Sequence, residues 1–254
     1  MPRKKKSFIL GSETAKGGFR TEDDIVDKFN NWKKDENAQK WLEIMGYKLK
    51  EIEKVEAVKI TGGYKTDVQV QITIYLKKAI AAENLSVKLA SNPRGYNQID
   101  KRWVDKYAEL WNMPEDIVKY LKTFTGEEID ASRFPVLRDE RRAFLDEMKG
   151  KTAQKVVDFF KKNKFLVVSD ILKGRGKFSA GWILVVLRLP EKTSWVLRSI
   201  NEAMNVFGSG KVEITKQGSL KIGKITMQRK GGDAGRPTAN MLQFKINPVE
   251  LFED

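Results

Sequence analysis

The sequence predicts a mixed α/β fold from three observations: a helical period near the start, a switch to strict alternation around residue 68, and interleaved helix and strand signals to the end. The segment Thr21-Glu-Asp-Asp-Ile-Val-Asp-Lys-Phe-Asn-Asn-Trp32 places apolar residues at 25, 26, 29 and 32 behind a threonine cap and first-turn acids, which predicts a helix. Ala38 to Met45, stopped by Gly46, and Leu49 to Glu53 predict two more. Val68, Val70, Ile72 and Ile74 then alternate with Gln69, Gln71, Thr73 and Tyr75, the period of a half-buried strand. Strands are expected at Val55–Ile60, Val68–Leu76 and Leu85–Ala90, following one another as a meander. Helices are expected at Lys101–Trp111, at Pro114–Phe124 with proline in its first turn, at Arg138–Met148 and at Thr152–Asn163. Ile183–Leu189 reads as a buried strand and Ser194–Phe207 as a helix ended by Gly208, with strands following near 211–216, 219–228 and 240–246. One domain over residues 1–254 is expected. Any internal subdivision would fall at the aperiodic stretch Thr125–Pro135, between a core in 1–125 and a helical and C-terminal part in 135–254.

Charge and two absences narrow the chemistry. Lys and Arg number 48 against 34 Asp and Glu, so the net charge of +14 suits a polyanionic partner, nucleic acid first. An anionic membrane surface is the other reading. No run of about 18 apolar residues supports it, and the start MPRKKKSFIL lacks a long apolar segment with a cleavage site, so a cytoplasmic protein is expected. The basic tip Arg3 to Lys6 reads as a solvated terminus that adds non-specific attraction to DNA. The chain contains neither cysteine nor histidine. That excludes disulfides, Cys/His zinc sites, iron–sulfur clusters, cysteine nucleophiles and any histidine base. A nucleic-acid-cleaving chain of this composition must hold a hard cation with oxygen ligands.

The candidate constellation is Asp67, Ser86 and Lys88. Asp67 opens the alternating strand, Lys88 lies 21 residues later on the next, and period-two alternation puts Ser86 and Lys88 on one face. Phosphodiester hydrolysis needs a carboxylate to hold a divalent cation at the scissile phosphate and a nearby amine to orient water and offset developing charge. The plain alternative is an exposed amphipathic strand, with Leu85, Val87 and Leu89 inward and Ser86 and Lys88 in water.

Thr66-Asp67 with Ser86-Val87-Lys88 resembles the loose PD-(D/E)xK nuclease signature. More specific are Val87-Lys-Leu-Ala-Ser-Asn-Pro-Arg-Gly-Tyr-Asn-Gln-Ile-Asp-Lys-Arg-Trp103 and Met227-Gln-Arg-Lys-Gly-Gly-Asp-Ala-Gly-Arg-Pro-Thr-Ala-Asn-Met-Leu-Gln-Phe-Lys-Ile246, which resemble the HinP-type restriction endonucleases, readers of GCGC. The likeness continues through Lys16–Ile25, Ser169–Gly176 and Asn247–Phe252, and so spans nearly the whole chain. It implies a PD-(D/E)xK restriction-endonuclease-like mixed central sheet flanked by helices, cleaving double-stranded DNA at a short palindrome. It also implies Mg²⁺ held by Asp67, Val87 and Glu22, a homodimer on the palindromic site and a cognate DNA methyltransferase. One departure stands out: the family carries glutamine two places before the lysine, and here that residue is Ser86. Glu22, in the first turn of the first helix, is the candidate substitute ligand, although a helix start favours acids for dipole reasons alone. Glu83 is nearer in sequence but points to the other face of a regular strand.

The resemblance carries recognition onto the loop Asn92–Lys101, where Asn97, Gln98, Asp100 and Lys101 offer base-edge donors and acceptors, with Gln98 entering the minor groove. A polar helix start is the bland reading of that stretch. The second reader is Arg229-Lys-Gly-Gly-Asp-Ala-Gly-Arg236, with Lys230, Asp233 and Arg236 as contacts beside Arg229, or else a simple chain turn. Lys173-Gly-Arg-Gly-Lys177 is either a phosphate-gripping loop or a solvated one. Ser86 keeps open a binding protein of the same fold without catalysis, and the scaffold also serves repair or RNA nucleases.

Overall fold

A computed structural model describes residues 20–61, 68–129, 137–148 and 151–253. They fall into two compact units, and the chain crosses between them at 97/98, 171/172, 203/204 and 246/247.

The first unit is built on a five-stranded sheet. The strands are β1 (Ile52–Thr61), β2 (Val68–Leu76), β3 (Ala79–Ala90), β5 (Trp182–Arg188) and β6 (Thr193–Ser199), in that spatial order. All neighbours are antiparallel except β3 and β5, which run parallel. The alternation in β2 explains its two faces: Val70, Ile72 and Ile74 are fully buried, and Val70 pairs with Leu85. Helix α1 (20–30) and helix α2 (Glu36–Ile44) cover that face with Ile25, Phe29, Trp41 and Leu42. Phe29 and Trp195 lie against Trp41 at centroid distances of 5.3 and 5.4 Å. Each such buried side chain contributes about 1.5–3 kcal/mol. The opposite face of β3, β5 and β6 packs against a 3₁₀ turn, Pro248–Phe252, in which Pro248 and Leu251 are buried.

Asp35 caps α2: its Oδ1 accepts from the Ala38 N–H at 2.9 Å and its Oδ2 from Lys28 Nζ at 2.7 Å. Burial alone would raise the Asp35 carboxyl, but these two donors outweigh it and hold it below its ordinary range. A depressed folded-state value means stabilisation that is present at neutral pH and lost as pH falls through that value. Asp35→Ala is therefore expected to cost about 1 kcal/mol in neutral urea unfolding, with the gap from the parent chain closing in acid.

The second unit holds another five-stranded sheet, in the order β4 (Asn97–Arg102), β10 (Leu242–Ile246), β9 (Ile225–Arg229), β8 (Leu220–Ile222), β7 (Val212–Ile214). It carries helices α3 (Val104–Trp111), α4 (Glu115–Thr125), α5 (Lys151–Lys162) and most of α6 (Lys164–Lys173), while α7 (Ile200–Gly208) crosses into it from the first unit. Its core is aromatic. Tyr107 stacks on Trp111 at 4.6 Å, and Phe244 and Phe160 meet that pair edge-on.

Five expectations from the sequence are corrected. Leu49–Glu53 gives only a 3₁₀ turn, Leu49–Glu51, because Ile52, Val55 and Ala57 are drawn into the sheet core. Ser194–Phe207 is strand then helix, since Ser194 to Ser199 pair with β5 before α7 begins. Lys101 belongs to β4, and α3 begins at Val104. The 219–228 strand is two strands, folded back at Gly223, whose φ of 62° suits glycine and whose added Cβ would lie 2.5 Å from the Ser209 carbonyl. Arg138–Met148 forms no α-helix. Its backbone bonds elsewhere, Ala143 N–H to the Thr123 carbonyl and Leu145 N–H to that of Gly218.

Candidate active site

Strand β3 presents Ser86 and Lys88 on one face and Leu85 and Val87 on the other, as alternation requires. The exposed-strand alternative does not hold. Ser86 is 2% exposed and Lys88 6%, both inside the fold. Register aligns Ser86 with Ile183 and Ile183 with Arg198, so one row across the sheet carries a serine and a guanidinium. Arg198 Nε donates to the Leu251 carbonyl at 3.2 Å, which fixes the C-terminal turn beside this row. Lys88 lies in the parallel row with Val185 and Val196.

Asp67 lies outside the described residues. The next residue, Val68, opens β2, and Gln69 pairs with Ser86. Glu22 sits in α1 at 9% exposure, on the stripe that carries Ile25 and Phe29 toward the sheet. An acid on the core-facing side of a helix is costly unless its charge is used. Glu83 takes hydrogen bonds from Tyr47 Oη at 2.7 Å and Trp182 Nε1 at 2.9 Å, on the face opposite Ser86. Burial, followed by this carboxylate, pushes the Tyr47 hydroxyl well above its usual range. Among the described residues no three acids gather as a metal cluster.

The structure adds one positioning residue that sequence reasoning passed over. Asn84 shares the face of Ser86 and Lys88, and its Nδ2 donates to the carbonyls of Lys177 at 3.0 Å and Ser179 at 3.2 Å. The loop Lys173–Lys177, left undecided from sequence, is thereby held at this face of β3 with Lys177 exposed. The alternation that pairs Ser86 with Lys88 already included Asn84.

Asn97 and Gln98 begin β4, both half-buried. Asn97 Nδ2 donates to the Leu89 carbonyl at 2.6 Å, a bond within the first unit. Asp100 departs from its expected place on a DNA-facing surface. It is fully buried, paired with Arg102 at 3.1 Å, and its Oδ1 accepts the Lys101 N–H at 2.9 Å. Arg102 in turn reaches Asp170 at 2.9 Å, and Trp111 Nε1 donates to the same carboxylate at 3.1 Å. Burial opposes the Arg102 charge, but Asp100, Tyr107 and Asp170 outweigh it and raise its pKa. Asp100 thus acts inside the unit, while Lys101 remains half-buried beside it.

In the β9–β10 loop, Arg229 donates to Asn240 Oδ1 from Nε at 3.2 Å and Nη2 at 2.6 Å. Lys230 pairs with Asp233 at 2.5 Å, and Thr238 donates to the same carboxylate. Those two donors, Lys230 first, hold the Asp233 carboxyl below its ordinary range. Asp233 and Ala234 have φ of 63° and 52°, a left-handed conformation that non-glycine residues adopt at a cost of about 1–3 kcal/mol. Arg236 is exposed at the tip.

No described helix is long and apolar enough to cross a membrane. No curated protein sequence matches this chain. Among solved structures, restriction endonuclease MspI, crystallised with its cognate DNA, has a TM-score of 0.63 at 12% identity over 93% of this chain and 91% of that one, a likeness of fold. The R.HinP1I restriction endonuclease family matches residues 45–252, most of the length and every strand described above. The chain belongs to that family and is accordingly a type II restriction endonuclease, an enzyme that cleaves DNA.

Proposed function

We propose that the chain hydrolyses one phosphodiester in each strand of double-stranded DNA at a short palindrome, GCGC, in a Mg²⁺-dependent reaction centred on Asp67 and Lys88. The observation that carries the reading is the burial of Lys88 and Ser86 side by side on the face of β3 away from the hydrophobic core. A lysine is rarely kept inside a fold without a task for its charge. Asp67, Glu22 and the Val87 carbonyl would hold the cation; carboxylate and carbonyl oxygens suit magnesium, and the buried acid on α1 fits that use. When bound, the ion supplies Lewis-acid activation of the phosphate and a more acidic water. The Lys88 ammonium orients the attacking water and offsets charge building on the phosphate, and the Ser86 hydroxyl can bond a water where the related enzymes carry glutamine.

Recognition is assigned to β4 and to the β9–β10 loop. Asn97, Gln98 and Lys101 would read base edges, with Lys230 and Arg236 contributing from the loop that Arg229 opens. Asp100 and Asp233 would place their basic neighbours rather than touch DNA, since both are committed to internal pairs. A palindrome calls for two protomers about a two-fold axis, and the enzyme would work in the cytoplasm beside a methyltransferase of the same specificity. Ser86 favours a second reading, a sequence-specific binder that no longer cuts.

Digestion of a fully sequenced phage DNA across a Mg²⁺ titration, with the fragment ends mapped, tests both. Ends at one repeated GCGC site are expected, and none without metal. Intact but retarded DNA would establish the binder instead. Scattered ends, or cutting of RNA, would remove site-specific restriction.

A further inference from the structure

We propose that Arg142 and Arg229, with Arg141 at the rim, form a clamp for one backbone phosphate of the bound duplex, a site outside the catalytic strand and independent of base sequence. The inference rests on the DNA-cleaving reading above.

Two arginines, Arg141 and Arg142, share a single acid, Asp139, and Arg229 lies close enough to feel the charges of Arg141 and Asp139. Arg142 keeps 14% of its side chain exposed and lies over the rings of Phe144 at 3.8 Å and Phe124 at 5.6 Å. Its Nε is buried with no hydrogen-bond partner among the described residues, and the Asp139 carboxylate stands 3.8 Å away, beyond hydrogen-bonding reach. Asp139 is already spent on Arg141, bound through Nε at 2.8 Å and Nη2 at 3.0 Å. The nearby Arg138 has its own acids in Asp146 and Glu147.

Arg229 is tied to the same place through the backbone. Asn240, which receives both Arg229 donors, gives its Nδ2 to the Gly126 carbonyl at 2.8 Å. Gly126 in turn abuts the Arg141 carbonyl so closely that any Cβ would collide with it, and its φ of 83° admits little but glycine. Burial, then repulsion from Arg229, lowers the Arg142 pKa, while burial, then Arg141, lowers that of Arg229. The fold therefore gathers positive charge at a cost that an arriving anion would offset. A phosphodiester fits: its two free oxygens match the guanidinium fork, and Arg229 opens the loop assigned to DNA.

The test is fluorescence anisotropy of the full chain on two labelled duplexes, one with GCGC and one without, between about 50 and 200 mM NaCl. Arg142→Met retains most of the packing on the phenylalanine rings, and its melting temperature is measured alongside. One lost phosphate contact lowers the slope of log affinity against log salt by about 0.9, equally on both duplexes. Over that salt range the affinity lost then becomes about 3.5-fold smaller than for the parent chain. Arg142→Lys, which keeps the charge, should restore most of the slope. An unchanged slope in Arg142→Met overturns the clamp and leaves the enzyme assignment standing. Thermal stabilisation of the parent by inorganic phosphate, absent in Arg142→Met and without a slope change, would identify a free-anion site and overturn it too. A parent chain that binds neither duplex would instead defeat the proposed function itself.

Discussion

Lys88→Met and Lys88→Ala are expected to lower the cleavage rate by at least about 10²–10³-fold, the usual consequence of deleting one preorganised charge at a reacting phosphate. Cognate-duplex affinity should change only a few-fold. The two variants answer different objections. The Lys88 stem is buried in a row with Val185, so alanine leaves a cavity whereas methionine fills much of it. If both cut slowly and Lys88→Met unfolds at the parent midpoint, the loss is chemical. Asp67→Asn should give the same phenotype, because exchanging a carboxylate for an amide removes charge while preserving size. Single-turnover plasmid cleavage beside anisotropy measures both quantities, and parent-like cutting by Lys88→Met would remove the amine from the mechanism.

The largest effect on stability is expected at Asp170. Its Oδ2 accepts from Arg102 at 2.9 Å and from the buried Trp111 indole at 3.1 Å, with the Asp170 side chain only 1% exposed. Asp170→Ala would take one counter-charge from Arg102 and leave the indole N–H without this acceptor. Breaking a buried pair this way costs about 3–5 kcal/mol, a large share of the 5–15 kcal/mol typical of a folded domain. Asp170→Asn retains an acceptor for the indole and should cost less. Urea unfolding reads the difference, and a loss below about 1 kcal/mol in Asp170→Ala would mean that the network contributes no more than a surface pair.

These two sites mark what can and cannot be read from sequence. The strand Val68–Leu76 was legible because one face is apolar throughout, so the period of two survives in the letters. Ser86 and Lys88 were legible as neighbours on a face, but their burial was not, because the covering segments lie about a hundred residues or more downstream, in β5 and the C-terminal turn. The burial of Asp100 was hidden for a related reason. A polar residue in a polar stretch reads as exposed, and Asp170, which shares Arg102 with it inside the unit, lies seventy residues on. Ser194–Phe207 carried a helical spacing that pairing with β5 overrode in its first half. Arg142 gave no signal, since an arginine becomes unusual only when its neighbours fail to neutralise it.

The parallel pairing of β3 with β5 also governs when the strand that carries Lys88 can be enclosed. Leu85 pairs with Trp182, 97 positions away, and all the chain between must be synthesised before the two can dock. The meander of β1, β2 and β3 is local and can nucleate early, whereas closing so long a loop is slow and entropically opposed. A nascent or truncated chain ending before residue 182 would therefore carry Lys88 on an open sheet edge. For an enzyme that cleaves DNA, the topology delays completion of the sheet around Lys88 until β5 has emerged.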